Sequence, residues 1–426
     1  MIKIGILGLG TVGSGVVKIL NKNEENIKQK VGTDAKIEKV LVKNTDKNRD
    51  LSLNKDIITD NPDEVIENPE IDLIVELIGG EDPAYQYIID AINSQKSIVT
   101  ANKLVIAKHG QKIYKLAAEN GVQVSYEGSV AGGLPIIRPL KESLAANRIS
   151  EIYGILNGTT NYILTKMTQE EKDFDEVLKE AQNLGYAERD PTSDISGRDA
   201  AYKIAILSSI AFETFVDVNS VYVQGIENVS LDDIDELGYV IKLLAIGKKH
   251  DEKLDIRVHP TFVPKNHPLA LVNDVYNAVY LHGDAVGDVM SYGKGAGQMP
   301  TGSAVVADII QVAKSIYHNR TDTYMMDTFL NCSIQDINEI ENRFYLRIQV
   351  NDKPGVMSKI TKVLGDRQVS LASVLQKHRL TKIVPLVLIT HPVKEEFINK
   401  SLRELKKLND VINIDSVIRV EEEVKQ

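Results

Sequence analysis

Residues 2–20, IKIGILGLGTVGSGVVKIL, set the fold of the N-terminal part of the chain. Ile2 to Leu7 is an apolar run of strand length, and the residues from Ser14 on have a helical pattern. Between them stands Gly8-Leu9-Gly10-Thr11-Val12-Gly13, a G-x-G-x-x-G fingerprint in strand–turn–helix context. Gly8 permits the tight turn, Gly10 lets backbone approach a pyrophosphate, and Gly13 lets helix close on strand. With Thr11 and Val12 these residues are the expected dinucleotide cradle, and the expected domain is α/β and Rossmann-type.

Further strands are expected at Ile37 to Val42, Ile71 to Ile78 and Ser97 to Thr100, with a helix from Pro83 to Ser94. An NAD-selective site ends its second strand in Asp or Glu, which binds the ribose hydroxyls. Here that strand runs into Lys43-Asn44, with Arg49 beyond, so NADP is the expected cofactor; Asp46 nearby leaves room for NAD. Gly79, Gly80 and Lys103 follow strand ends, where ligands bind in an open α/β sheet. Lys103 also suits an ordinary surface position, and the residues alone leave that open.

The chain has 426 residues, 43% hydrophobic and 26% charged, which describes two or three globular domains. A net charge of −10 argues against a nucleic-acid or anionic-membrane partner. One cysteine, Cys332, excludes an internal disulfide framework and suits a reducing cytoplasm. No signal peptide and no membrane-spanning run is read, so a cytoplasmic location is expected. The eight histidines and the cysteine form no ligand-spaced cluster, so no zinc or iron site is expected.

The chemistry is expected in residues 184–207, LGYAERDPTSDISGRDAAYKIAIL. Four acids, Glu188, Asp190, Asp194 and Asp199, precede Lys203. Ser196, with Asp199 three residues on, reads as a helix N-cap, which starts a helix near Gly197. Asp199 and Lys203 then share one helix face. From Ala200 to Phe212 Lys203 is the only charge, and a lysine in an apolar helix must be paired and can have its proton affinity tuned. Lys203 is therefore a candidate acid/base. A capped helix with a structural ion pair gives the same pattern, and this stretch alone does not separate the two.

Glycine-rich Ser125 to Pro135, with the carboxylate Glu127, reads as a domain junction whose carbonyls could bind a cation. Ile152 to Leu164 reads as a strand, the polar turn Asn157-Gly158-Thr159-Thr160 and a helix start, and Asp173 to Asn183 as an amphipathic helix. Strands are expected at Leu254 to Phe262 and Val275 to His282, then the glycine-rich run 293–302 and a helix from Ser303 to Ile316. Residues 321–342 read as a linker. Beyond it the order β-α-β-β-α-β, from Phe344 to Val420, is a ferredoxin-like unit.

The segments together resemble homoserine dehydrogenase over the whole chain. The carriers are GLGTVG at 8–13, VELIGG at 75–80, TANK at 100–103, VAGGLPII at 130–137, ILNGTTNYIL at 155–164, the 184–207 stretch and GAGQMPTGSAVVADI at 295–309. The C-terminal unit resembles an ACT domain, with DKPG at 352–355 as its loop signature. The resemblance implies a Rossmann domain at 1–130 plus about 293–320, an α+β substrate-binding and dimerisation domain at 131–292, and an ACT regulatory domain at 343–426. It implies NAD(P)-dependent interconversion of L-homoserine and L-aspartate 4-semialdehyde, in making threonine, methionine and isoleucine. By similarity Lys203 moves the proton of the substrate oxygen, with Lys103 as a second ammonium. Glu188 would hold the substrate ammonium, with Asp194, Asp199, Tyr186 and Thr159 on the substrate side. Gly297 would return to the cofactor. Glu127, Val130, Gly132 and Leu134 match a structural sodium site. L-threonine is the implied effector, and a homodimer or homotetramer the implied assembly.

Two rivals come from other classes. An aldehyde dehydrogenase acting on a phosphorylated semialdehyde needs a cysteine nucleophile, and Cys332 lies in the expected linker. A non-catalytic sensor would keep the Rossmann and ACT units, bind cofactor and show no turnover.

Overall fold

A computed structural model describes residues 1–47, 49, 51, 53–233, 238–320, 332–376 and 382–421. The chain divides into two compact units: Met1–Leu156 with Ala201–Val221 and Tyr276–Asn331, and Asn157–Ala200 with Tyr222–Val275 and Cys332–Gln426. The division after Leu156 departs from the boundary expected at residue 130. Its cause is the strand Ile149–Ile155, which pairs antiparallel with Tyr276–Gly283 (Ala278 opposite Ile155) and so ties residues 131–156 to the first unit.

In the first unit, β1 (Ile2–Leu7), β2 (Ala35–Leu41), β3 (Ile58–Thr59), β4 (Leu73–Glu76), β5 (Ser97–Thr100) and β6 (Val124–Ser125) form a parallel sheet in the order β3-β2-β1-β4-β5-β6. The central strands are short apolar runs buried on both faces, as a parallel sheet covered by helices requires. This is the doubly wound order, and its switch point lies between β1 and β4, where Leu7 stands opposite Glu76. The helix Gln298–Tyr317 comes back against the helix Thr11–Lys22. Gly15 makes that approach possible, since a Cβ there would lie 2.1 Å from the Gln298 carbonyl oxygen. The helix begins five residues before the expected Ser303.

The strand Gly287–Lys294 pairs with Tyr276–Gly283 and was not anticipated. Its residues alternate half-buried with exposed, glycines stand at and next to its ends, and little apolar patterning marks it as a strand.

The second unit is built on a long hairpin, Tyr239–His250 with Lys253–Pro264. Tyr239–His250 also escaped the sequence reading. Lys242 interrupts its apolar run, yet Lys242 is buried, its ammonium donating to Val272 O at 2.5 Å, Asn161 Oδ1 at 3.1 Å and Asn273 Oδ1 at 3.2 Å. The C-terminal sheet runs Val411–Val420, Glu341–Asn351, Ile383–Thr390, Leu371–Gln376, with helices Val356–Asp366 and Glu395–Leu405. Phe344, Leu346, Ile360, Leu386 and Ile398 form its core.

The linker expectation is corrected in part. Residues 321–331 lie outside the described residues, but Ser333–Ile334 pairs with Lys253 and Leu254, and the first C-terminal strand begins at Glu341. Apolar Ile334 and backbone pairing give this segment a place on the hairpin.

Candidate active site

The nucleotide crevice lies where β1 and β4 end. Gly8 has φ +101°, a left-handed turn directly after β1, and Gly10 is exposed with nothing within 4 Å of where a Cβ would stand. A Cβ on Gly13 would meet the Gly8 carbonyl oxygen at 2.3 Å, so only glycine lets the helix start so close to the strand. Thr11 is exposed and Val12 half-buried at that helix start. These features fit a pyrophosphate seated on the N–H groups of the turn. Lys43 is exposed just beyond β2, and Arg49 folds back to donate to Asn44 O at 2.9 Å and Lys47 O at 3.0 Å. Gly297, exposed with φ +127°, caps the helix Gln298–Tyr317.

Across the switch point, Gly79 and Gly80 both have left-handed backbone and are exposed. Lys103 is the first residue of the helix Lys103–Glu119, whose N-cap Asn102 accepts from Val105 N–H through Oδ1. Asn102 Nδ2 also donates to Gly80 O at 2.8 Å. Beneath both loops lies Glu76, fully buried, accepting from Ile78 N–H at 2.8 Å and from the Thr100 hydroxyl at 2.7 Å.

The helix Arg198–Ala211 bears Asp199 in its first turn and Lys203 one turn later. Lys203 is 9% exposed and donates to Leu156 O at 2.6 Å. Asp199 is buried as well. The N-cap expectation for Ser196 is overturned. Ser196 closes the preceding turn, Thr192–Ile195, by donating its N–H to Thr192 O, and its hydroxyl is buried with no hydrogen-bond partner. Gly197, at φ +83°, makes the bend between the two helices.

Within the second unit the carboxylates are gathered by Asn157. Its amide donates to Asp194 Oδ1 at 2.7 Å and to Asp199 Oδ2 at 2.8 Å, while its carbonyl oxygen accepts from Thr160 N–H at 2.8 Å as the N-cap of the helix Gly158–Glu170. The Thr159 hydroxyl donates to Tyr186 O at 2.7 Å, fixing the loop that carries exposed Tyr186 and exposed Glu188. Asp190 accepts from the Thr192 N–H and hydroxyl, which binds it to the turn.

Glu127 is buried, and its carboxylate accepts from three successive backbone N–H groups: Ile136 at 2.5 Å, Ile137 at 2.8 Å and Arg138 at 2.7 Å. Ala131 and Gly132 have left-handed backbone between buried Val130 and Leu134. Asp308 on the returning helix accepts Glu127 N–H at 2.7 Å and an Arg138 guanidinium N–H at 2.8 Å. Burial pushes the Asp308 carboxyl up to about 7. Among the described residues no group of three His, Cys, Asp or Glu is arranged to hold a metal, and no helix is long and apolar enough to cross a membrane.

Asn157, Glu76, Arg138 and Asp308 were given no role from sequence. Glu76 and Asp308 carried a usable signal, as acids inside otherwise apolar elements. Asn157 lay in a turn already marked as polar, with nothing in its spacing to show what it would bridge.

Residues 135–310 match the family model described as homoserine dehydrogenase, residues 8–127 that of the homoserine dehydrogenase NAD binding domain, and residues 344–410 that of the ACT domain. The chain is 42% identical to homoserine dehydrogenase of Bacillus subtilis (strain 168), over 99% of this chain and 98% of that protein. It is 46% identical to the Synechocystis enzyme, over 98% and 99%. The crystal structure of a homoserine dehydrogenase from Thiobacillus denitrificans superposes with a TM-score of 0.94 at 40% identity, covering 99% of this chain and 98% of that one.

Proposed function

The chain belongs to the homoserine dehydrogenase family of oxidoreductases, and from that premise we propose that it interconverts L-homoserine and L-aspartate 4-semialdehyde, with NADP preferred over NAD. The observation that carries the site assignment is the helix Arg198–Ala211, with Asp199 and Lys203 one turn apart and both buried. The nicotinamide, when bound, supplies or accepts the hydride at the terminal carbon of the substrate. The protein then has to position the substrate and move one proton.

Lys203 is the proton carrier at the substrate oxygen. Its bond to Leu156 O aims the ammonium. Lys103, set at a helix start beside the Gly79-Gly80 loop, is the second ammonium. Asp194 and Asp199, aimed by Asn157, shape the polar pocket, and exposed Glu188 takes the substrate ammonium, with Tyr186 and Thr159 forming its wall. Gly8, Gly10, Thr11, Val12, Gly13, Gly79 and Gly297 hold the dinucleotide. Lys43 supports the NADP preference, because an exposed ammonium past β2 suits a 2′-phosphate.

A sodium ion is assigned to the carbonyls around Val130, Gly132 and Leu134. Oxygen donors suit a hard cation. The Glu127 carboxylate already faces three N–H groups, so Glu127 would contribute through its main chain. The ACT domain carries a cavity of about 350 Å3 bordered by Asn351, Asp352, Lys353, Gly355 and Gln376. Asp352 suits an ammonium and Lys353 a carboxylate, which supports an amino-acid effector, L-threonine, acting as feedback inhibitor of the biosynthesis of threonine, methionine and isoleucine. The assembly is a homodimer or homotetramer.

The test is nicotinamide absorbance with purified protein, L-homoserine, and NADP or NAD in turn. Homoserine-dependent reduction, faster with NADP, is expected. Nucleotide binding without turnover would favour the sensor, and faster turnover with NAD would remove the Lys43 argument.

A further inference from the structure

Glu76 ends β4 at the switch point of the sheet and is 0% exposed. Among the described residues no cation donates to it. Ile78 N–H donates to one oxygen and the Thr100 hydroxyl to the other. A buried carboxyl held by dipoles alone is an expensive feature to place under a ligand crevice. Burial pushes its pKa upward, against the pull of its hydrogen bonds from Thr100, Ile78, Gly79 and Asn102.

The hydrogen-bond directions can be followed outward. Thr100 Oγ1 accepts from Asn102 N–H at 2.9 Å, so its one proton goes to Glu76. Asn102 in turn caps the helix that starts at Lys103 and donates to Gly80 O. The two oxygens of Glu76 therefore serve two loops. One holds the chain at 78–79 as it leaves β4, and the other fixes the orientation of the residues that introduce Lys103. Glu76 and Thr100 are paired in register as the last residues of their strands, so strand pairing delivers both at one level.

We propose that Glu76 is a positioning residue for the reaction, locking the cofactor-side loop at Gly79-Gly80 and the start of the Lys103 helix into one geometry. This rests on the roles assigned above to Gly79 and Lys103. A glutamine at 76 is not equivalent. An amide has one acceptor oxygen; with that oxygen on the Ile78 N–H, its NH2 faces Thr100 Oγ1 and turns the hydroxyl proton away from position 76, which alters the link that fixes Asn102.

The test compares the parent chain with Glu76→Gln, Thr100→Val and Thr100→Ser. NADPH is titrated by its own fluorescence, which a chain with no tryptophan leaves uncluttered, and turnover is followed with homoserine. Glu76→Gln is expected to raise the NADPH Kd about tenfold and lower kcat about tenfold, with the homoserine KM within threefold. Thr100→Val removes the donor to one Glu76 oxygen and the acceptor of the Asn102 N–H but leaves the Ile78 N–H bond in place, so kcat is expected to fall about tenfold with Kd within threefold. Thr100→Ser restores the hydroxyl and should recover kcat.

Kd and kcat within twofold of the parent in Glu76→Gln, whatever happens to its melting temperature, would overturn the proposal. If Glu76→Gln does not fold, Thr100→Val decides: unchanged kcat, or a loss that Thr100→Ser does not recover, overturns it. A parent that binds NADPH but never turns over homoserine would sink the assigned reaction instead, and the Kd ratio for Glu76→Gln would still judge the loop.

Discussion

The side-chain amide of Asn157 donates to Asp199 Oδ2 at 2.8 Å, and its second N–H goes to Asp194 Oδ1 at 2.7 Å. One neutral group thus holds two acids of like charge in a fixed relation, while its oxygen caps the helix behind it. Asn157→Asp keeps a cap acceptor but turns an acceptor toward two carboxylates, and like charges at that range repel. A fall in kcat/KM for homoserine of about 100-fold is expected, with the NADPH Kd within threefold. Steady-state kinetics beside a nucleotide titration checks this, and equal losses in both would mark Asn157 as a general folding residue.

Lys203 gives the sharpest test of the chemistry. Replacing a positioned acid/base removes a contribution of about 10²–10⁴-fold. Lys203→Ala is expected to lower kcat by that range and leave NADPH binding in place. Near-normal turnover would return Lys203 to a structural role.

Much of the candidate site was legible in advance because its residues travel in short runs. Gly8 to Gly13 needs no distant partner to be understood, and Asp199 and Lys203 are brought to one face by helical spacing alone. Glu76 and Asn157 were opaque for the opposite reason. Their meaning lies in hydrogen bonds to Thr100 and to Asp194 and Asp199, far along the chain, and spacing carries no trace of them. Ser196 misled because a residue type common at N-caps stood one place before the real bend, where Gly197 alone accepts the left-handed backbone. Lys242 hid a whole strand, since a buried ammonium satisfied by three oxygens looks in sequence like a solvated lysine.

Asp308 makes stability depend on pH in a defined direction. Burial raises its carboxyl to about 7, opposed by the Glu127 N–H, reinforced by the Glu127 carboxylate and opposed again by Arg138. A folded-state value above the unfolded one means that the folded state binds the extra proton. The resulting stability is complete below about pH 4 and is lost as pH rises through about 7. Asp308→Asn lacks this titration. The unfolding free energy of the parent minus that of the variant should therefore fall by roughly 3 kcal/mol between pH 5 and pH 8. Urea melts of both chains across that range measure it, and a difference flat in pH would contradict the buried position of the acid.

The ACT domain is bolted to the rest of its unit. Arg347, nearly buried, donates to Asp233 Oδ1 at 2.8 Å, Asp232 Oδ2 at 3.0 Å and Ser230 Oγ at 2.7 Å. Thr261 also pairs with Arg419 in the last strand, whose guanidinium donates to Gln224 at 2.9 Å. Cutting the chain near Asn342 would strand Asp233, which is fully buried, and bare a strand edge. Arg347→Ala isolates the first of these effects. Removing one partner of a buried pair destabilises by about 3–5 kcal/mol, and denaturant midpoints should move accordingly. A change under about 1 kcal/mol would mean that Asp233 finds other partners.

A point change in the ACT cavity is therefore the cleaner probe of regulation than truncation. Asp352 borders the cavity, and Gln376 Nε2 donates to its Oδ1 at 3.2 Å. If Asp352 takes the ammonium of an amino-acid effector, Asp352→Asn removes the charge and keeps the shape. Losing one charge-assisted hydrogen bond is worth about 1.5–3 kcal/mol, so the threonine concentration for half-inhibition should rise at least tenfold. Uninhibited kcat and the homoserine KM should stay within twofold, because Asp352 touches none of the residues assigned to the reaction. Inhibition by threonine at the parent's concentration in this variant would move the effector site away from the DKPG loop.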